Sequence, residues 1–124
     1  SSTSRGLGDV YKRQALATGD ILCVALDVTN KKVYFRKNAD AWFNSGNPES
    51  GATGTGAVSL PTTGDAWLFG GSPRNSSIES NFGEGFFGTT AAGTNADGNG
   101  QGLFAYAVPS GYYALNTKNL EAYG

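Results

Sequence analysis

The 124 residues allow one domain at most, and 19 glycines with only 15% charged side chains suit short strands joined by turns better than helices. Histidine is absent, which excludes Ser-His-acid and Cys-His nucleophilic machinery and removes the commonest zinc ligand. The net charge of −1 conceals a basic opening, Arg5, Lys12 and Arg13 against Asp9; six basic and nine acidic residues remain, with no basic stripe of the kind nucleic acid requires.

Residues 1–14 differ in composition from the rest of the chain and show no period of two or 3.6. Their tail, Asp9-Val10-Tyr11-Lys12-Arg13-Gln14, resembles translated sequencing-adapter DNA at the broken end of an environmental read, the alternative being a native linker. Either way this segment is expected not to pack. Methionine is missing even at position 1, so the chain reads as a piece of something longer, with residues 15–124 its organised part.

Gly19-Asp20 predicts a turn delivering the chain into a strand over Ile21–Val28. That strand is apolar on both faces, Leu22, Val24 and Leu26 on one and Ile21, Cys23 and Ala25 on the other, which predicts a place inside a sandwich. Thr29-Asn30-Lys31 turns the chain back into Lys32–Lys37, where Val33 and Phe35 face one way and Tyr34 and Arg36 the other. Cys23, the only cysteine, has no internal disulfide partner and reads as a small core residue.

Residues 38–65 read as loop, anchored by Trp42-Phe43 and by a short strand at Val58–Leu60. Further strands are expected at Trp67–Gly70 and Ser76–Phe82, the latter with Ile78 and Phe82 inward and Glu79 and Asn81 outward. A long Thr, Ala, Gly and Asn loop then runs to Gly102, before Leu103–Tyr106, Val108-Pro109 and Gly111–Leu115 close the chain. Asn116–Ala122 has room for one helical turn.

Five features bear on chemistry. Glu79 and Glu84 flank Asn81-Phe82-Gly83 and are the best carboxylate pair for a glycosidase, although their spacing matches no motif of that chemistry and a solvent-facing strand explains Glu79 more simply. Asn95-Ala96-Asp97-Gly98-Asn99-Gly100 opens like a calcium loop, but Tyr106 stands where its bidentate glutamate belongs, and turn formation explains it more simply. The glycine-rich runs 51–56 and 98–102 lack the strand, helix and Lys-Ser/Thr of a phosphate cradle. Asn75-Ser76-Ser77 fits a glycosylation triplet, a pattern too common to carry weight without a secretory route. Most aromatic rings among Trp42, Phe43, Trp67, Phe69, Phe86, Phe87, Phe104, Tyr106, Tyr112 and Tyr113 are expected in the core; Trp42, in a polar loop, either anchors that loop or stacks on a sugar or partner. Trp42, Glu79 and Glu84 are therefore the candidate ligand contacts, and no catalytic, cofactor-binding or metal-ligating residue is assigned.

The Gly19-Asp20 turn, the apolar strand ending at Asp27, Val33-Tyr34-Phe35 followed by Lys37-Asn38, and Asn81-Phe82-Gly83 together resemble the SPRY family. The closing Val108-Pro109-Ser110-Gly111-Tyr112-Tyr113-Ala114-Leu115-Asn116-Thr117 is similar to SPRY modules of phage structural and tail-associated proteins. The resemblance runs from about Thr18 to Leu120 and departs at Ala39-Asp40, where relatives place a glycine. It implies an all-β antiparallel sandwich of the concanavalin-like type, here incomplete because the strands upstream of Gly19-Asp20 are missing. Apolar burial stabilises by about 25 cal/mol per Å² and small domains are marginal, so residues 15–124 alone are expected to be poorly stable or to aggregate through an exposed strand edge. The function implied is a non-catalytic interaction or structural module of a phage virion, its loops meeting virion subunits or a host-surface receptor, with no nucleic-acid partner and no membrane insertion. The alternative is a carbohydrate-binding, lectin-like or glycosidase-derived module, with a glycan as partner.

Overall fold

The computed structural model describes residues 16–63, 70, 75–85 and 91–123. The chain divides into two compact units, Ser1–Thr63 and Gly64–Gly124, and each is taken by itself.

The first unit is built on a three-stranded antiparallel sheet in the order β1-β2-β3, with β1 at Leu22–Asp27, β2 at Lys32–Lys37 and β3 at Val58–Ser59. The β1–β2 register pairs Leu22 with Lys37, Val24 with Phe35 and Leu26 with Val33, the hairpin expected from the alternation. Its turn is held by Asp27, whose carboxylate accepts from the Asn30 backbone N–H at 2.9 Å and from the Asn30 side-chain amide at 2.7 Å. Lys31 takes the left-handed conformation (φ 57°) that completes the reversal.

The open end of the hairpin is clamped by the residues that carry the resemblance. Asn38 donates its side-chain amide to Asp20 at 2.8 Å, accepts from the Ile21 N–H at 2.8 Å, and donates its own N–H to the Ile21 carbonyl at 2.8 Å. At φ 52° Asn38 supplies the left-handed residue itself, so the missing glycine after it costs the turn nothing.

Period two also sorts the faces correctly. Val33 and Phe35 are buried and gather Leu22, Phe43, Val58 and Leu60 around them, an apolar cluster worth about 1.5–3 kcal/mol for each fully covered large side chain. Tyr34, 2% exposed, lies on the opposite face against Trp42. The expected cover over both faces of β1 is incomplete. Ala25 is buried and Leu22 and Cys23 half-buried, but Val24 and Leu26 are 38% and 42% exposed.

Among the described residues no strand pairs with the outer side of β1. Because Ile21 and Asn38 form a hydrogen-bonded pair, the backbone groups of Leu22, Val24 and Leu26 alternate outward, and two of the three, Val24 and Leu26, also carry exposed apolar side chains. Val24→Lys is expected to suppress concentration-dependent self-association, measured by light scattering or sedimentation, without weakening the hairpin. Unchanged association would place the sticky surface elsewhere.

The second unit departs further from expectation. Residues 75–82 form no strand: Ile78 and Phe82, expected inward, are 50% and 43% exposed, and Glu79 is exposed beside them. Local side-chain hydrogen bonding from Asn81 competes with ladder formation there. Trp67 and Phe69 of the other expected strand, and Phe86 and Phe87, lie outside the described residues. The closing segment contributes one bridge, Asn95 with Phe104, and α1 at Thr117–Tyr123, longer than the single turn expected. The core rings also differ from the expected set. Tyr34 and Phe35 of β2 are the buried aromatics among the described residues, whereas Phe43, Phe104, Tyr106 and Tyr112 are half-buried and Tyr113 is exposed. What the structure establishes, among the described residues, is a three-stranded antiparallel sheet with little helix, compatible with an all-β class.

Candidate functional site

Among the described residues of the second unit, the buried side chains are chiefly polar. Asp97, Asn116 and Asn119 are 8%, 9% and 7% exposed, with Ala114 between them. Asp97 Oδ1 accepts from the backbone N–H groups of Asn99 at 2.8 Å and Gln101 at 2.9 Å, and Oδ2 accepts from Ala114 N–H and the Asn119 side-chain amide, both at 2.8 Å. Four N–H donors thus converge on one carboxylate. Its oxygens tie the 95–101 loop to the closing segment, a turn-forming role for the sequence that opens like a calcium loop.

Asn119 extends the network by donating to the Ala114 carbonyl at 2.8 Å and accepting from the Asn99 amide at 3.0 Å. Asn116 caps α1, its side-chain oxygen accepting from the Asn119 N–H at 3.0 Å. Burial acts to raise the Asp97 pKa, but the hydrogen bonds from Ala114, Gln101, Asn119 and Asn99 together outweigh it and hold the carboxyl below its ordinary 3.8. A depressed folded-state pKa contributes stability above the unfolded value, lost as pH falls through the folded one. Amide protection at Asn99, Gln101 and Ala114, measured against the intrinsic exchange rate at each pH, is therefore expected to fall as the solution is taken below about pH 4. Unchanged protection under strong acid would contradict the clamp. Asp20 is held low by the Ala17 N–H and the Asn38 amide, and Asp27 by the side chain and backbone of Asn30, so the hairpin should loosen in the same direction.

Asn81 makes the equivalent clamp for the 81–85 turn. Its oxygen accepts from Gly83 N–H at 2.8 Å and Gly85 N–H at 3.0 Å, and its amide donates to the Leu103 carbonyl at 3.1 Å. Gly83 has φ 122°, and a Cβ there would stand 2.6 Å from that of Ala114. Only glycine fits.

While Asp97, Asn116 and Asn119 are buried, several large apolar side chains of this unit lie outside. Ser80, Phe82, Glu84, Gly85, Leu115 and Leu120 are among the residues that line an open depression of about 370 Å³. Phe82, Leu115 and Leu120 are 43%, 63% and 55% exposed within it. Glu84 is on this wall. Glu79 is exposed and does not line it.

Trp42 belongs to the first unit and is half-buried. The Tyr34 ring packs T-shaped against it, with centroids 6.5 Å apart and planes at 77°, and the Arg36 guanidinium sits over the indole at 4.7 Å. One face of the indole is thus occupied by a cation, the geometry of a loop anchor. Across the strand pair from Arg36 the Cys23 thiol is half-buried, its pKa raised by that burial, and its Sγ lies 3.8 Å from the Asn38 carbonyl. Such a thiol is a poor nucleophile at neutral pH.

Among the described residues no group of three or more Cys, Asp or Glu stands together as a metal site would require. Sequence reasoning named the Asn95–Gly100 run and Asn81-Phe82-Gly83 but missed Asn116, Asn119 and the groove. The signal available was Leu115-Asn116-Thr117-Lys118-Asn119-Leu120, with asparagine at an N-cap and its N3 position. Comparison with family models, curated proteins and solved structures finds no match to this chain.

Proposed function

We propose that this chain is a non-catalytic interaction or structural module of a phage virion protein, an incomplete SPRY-type sandwich that meets a protein partner or host surface through its loops. One observation carries the reading. Among the described residues of the second unit Asp97, Asn116 and Asn119 are buried and spent on holding backbone and one another, while Phe82, Leu115 and Leu120 face solvent around a shallow groove. A contiguous exposed apolar surface suits association with another protein better than chemistry on a small substrate. The polar residues of the resembling motifs, Asp20, Asn38 and Asn81, likewise act on backbone or on one another.

The test is to combine the chain with the tail and capsid proteins encoded beside its gene and to titrate binding with and without Leu115→Asp. Binding weakened by about tenfold or more in the variant is expected, as for loss of a central apolar contact. A glycan-array signal abolished by Trp42→Ala, or glycan hydrolysis abolished by Glu84→Gln, would overturn this reading in favour of the carbohydrate-binding one.

A further inference from the structure

Asn99-Gly100 is the single Asn-Gly pair in the sequence. In such a pair the glycine imposes no side chain on the following amide, whose nitrogen can reach the asparagine side-chain carbonyl. Asparagine is a thermolabile residue for this reason. Here the two reacting groups are both engaged: Gly100 donates its N–H to the Asp97 carbonyl at 3.0 Å, and Asn99 donates its side-chain amide to Asn119 Oδ1 at 3.0 Å.

We propose that Asn99 is a spontaneous deamidation site held inactive by the Asp97–Asn119 network, so that opening of the second unit is recorded irreversibly as a new negative charge. In the reaction the Gly100 nitrogen bonds to Asn99 Cγ, the Cγ–Nδ2 bond breaks, and ammonia leaves carrying the proton given up by the Gly100 amide. Solvent water then opens the succinimide at either carbonyl, leaving aspartate or isoaspartate. Neither product fits the network. Asn119 cannot turn its oxygen away, because its amide is committed to Asp97 Oδ2 and the Ala114 carbonyl at 2.8 Å each, so a carboxylate at position 99 would face an acceptor and stand close to the Asp97 anion. Isoaspartate adds a backbone carbon between the donors of Asn99 and Gln101, which now meet on the single oxygen Oδ1 of Asp97.

The experiment ages the whole chain at neutral pH with and without urea, and follows conversion of Asn99 by peptide mass spectrometry. Conversion in native buffer is expected to be slower than in urea by about tenfold or more, the ratio reporting how seldom the network opens. Gly100→Ala in urea is expected to slow the reaction, identifying the succinimide route. The deamidated form, separated by ion exchange, should lose amide protection at Ala114 and Gln101 while Asn38 in the first hairpin keeps its own. Equal rates with and without urea would overturn the proposal, as would full protection at Ala114 in the deamidated form.

Discussion

Asp97→Ala is expected to cost the second unit about 3 kcal/mol or more, since hydrogen bonds to a charged group are each worth about 1.5–3 kcal/mol and the abandoned donors add a desolvation penalty. Four N–H groups lose their acceptor at once, three of them on the backbone and one on buried Asn119. The loss should be non-local in sequence: Ala114 and Asn119 are 17 and 22 residues from Asp97, so amide exchange must rise at both ends of the segment together. Asp97→Asn keeps an acceptor for two donors but presents an amide donor to the others, and its cost should be intermediate. Chemical denaturation followed by residue-resolved exchange separates the three proteins. A rise confined to 97–101 would mean that the closing segment holds itself.

Tyr34→Ala should be the most damaging single change in the first unit, by about 4 kcal/mol, the range for truncating a buried aromatic ring. Tyr34 is the largest fully buried side chain among the described residues, it packs T-shaped against Trp42, and its hydroxyl lies 3.3 Å from Ser50 Oγ. Ser50 in turn donates to the Asn47 carbonyl at 2.7 Å and accepts from Thr55 N–H at 2.9 Å, so the ring links the hairpin to the 43–56 loop. Tyr34→Phe isolates the polar part and should cost about 1 kcal/mol. The two are told apart by thermal unfolding together with Trp42 fluorescence, because removing the ring changes the indole's surroundings and removing the hydroxyl leaves them. A Tyr34→Ala protein with native stability would show that the loop is held by the Val33–Phe35 cluster alone.

The parts of this molecule that were legible in the sequence are those governed by near neighbours. Alternation placed Val33 and Phe35 opposite Tyr34 and Arg36, and Thr29-Asn30-Lys31 marked the reversal, because a strand exposes side chains with period two and a turn needs residues that tolerate left-handed backbone. The Val58–Ser59 strand was equally visible as a short apolar island in a polar loop. Ser76–Phe82 misled because the same alternation occurs where Asn81 satisfies the turn's own N–H groups, and no ladder forms.

What the sequence determined by itself, then, is the hairpin and the reversal at its tip, both consequences of local backbone chemistry. The tertiary structure alone decided that, among the described residues of the second unit, Asp97, Asn116 and Asn119 are buried while Phe82, Leu115 and Leu120 are exposed. Asp97 and Asn119 are buried with partners drawn from 17 to 22 residues away, and Phe82, Leu115 and Leu120 are left exposed around that network. No local pattern encodes that choice, because the same asparagines and aspartate satisfy short-range turn chemistry equally well until distant donors arrive.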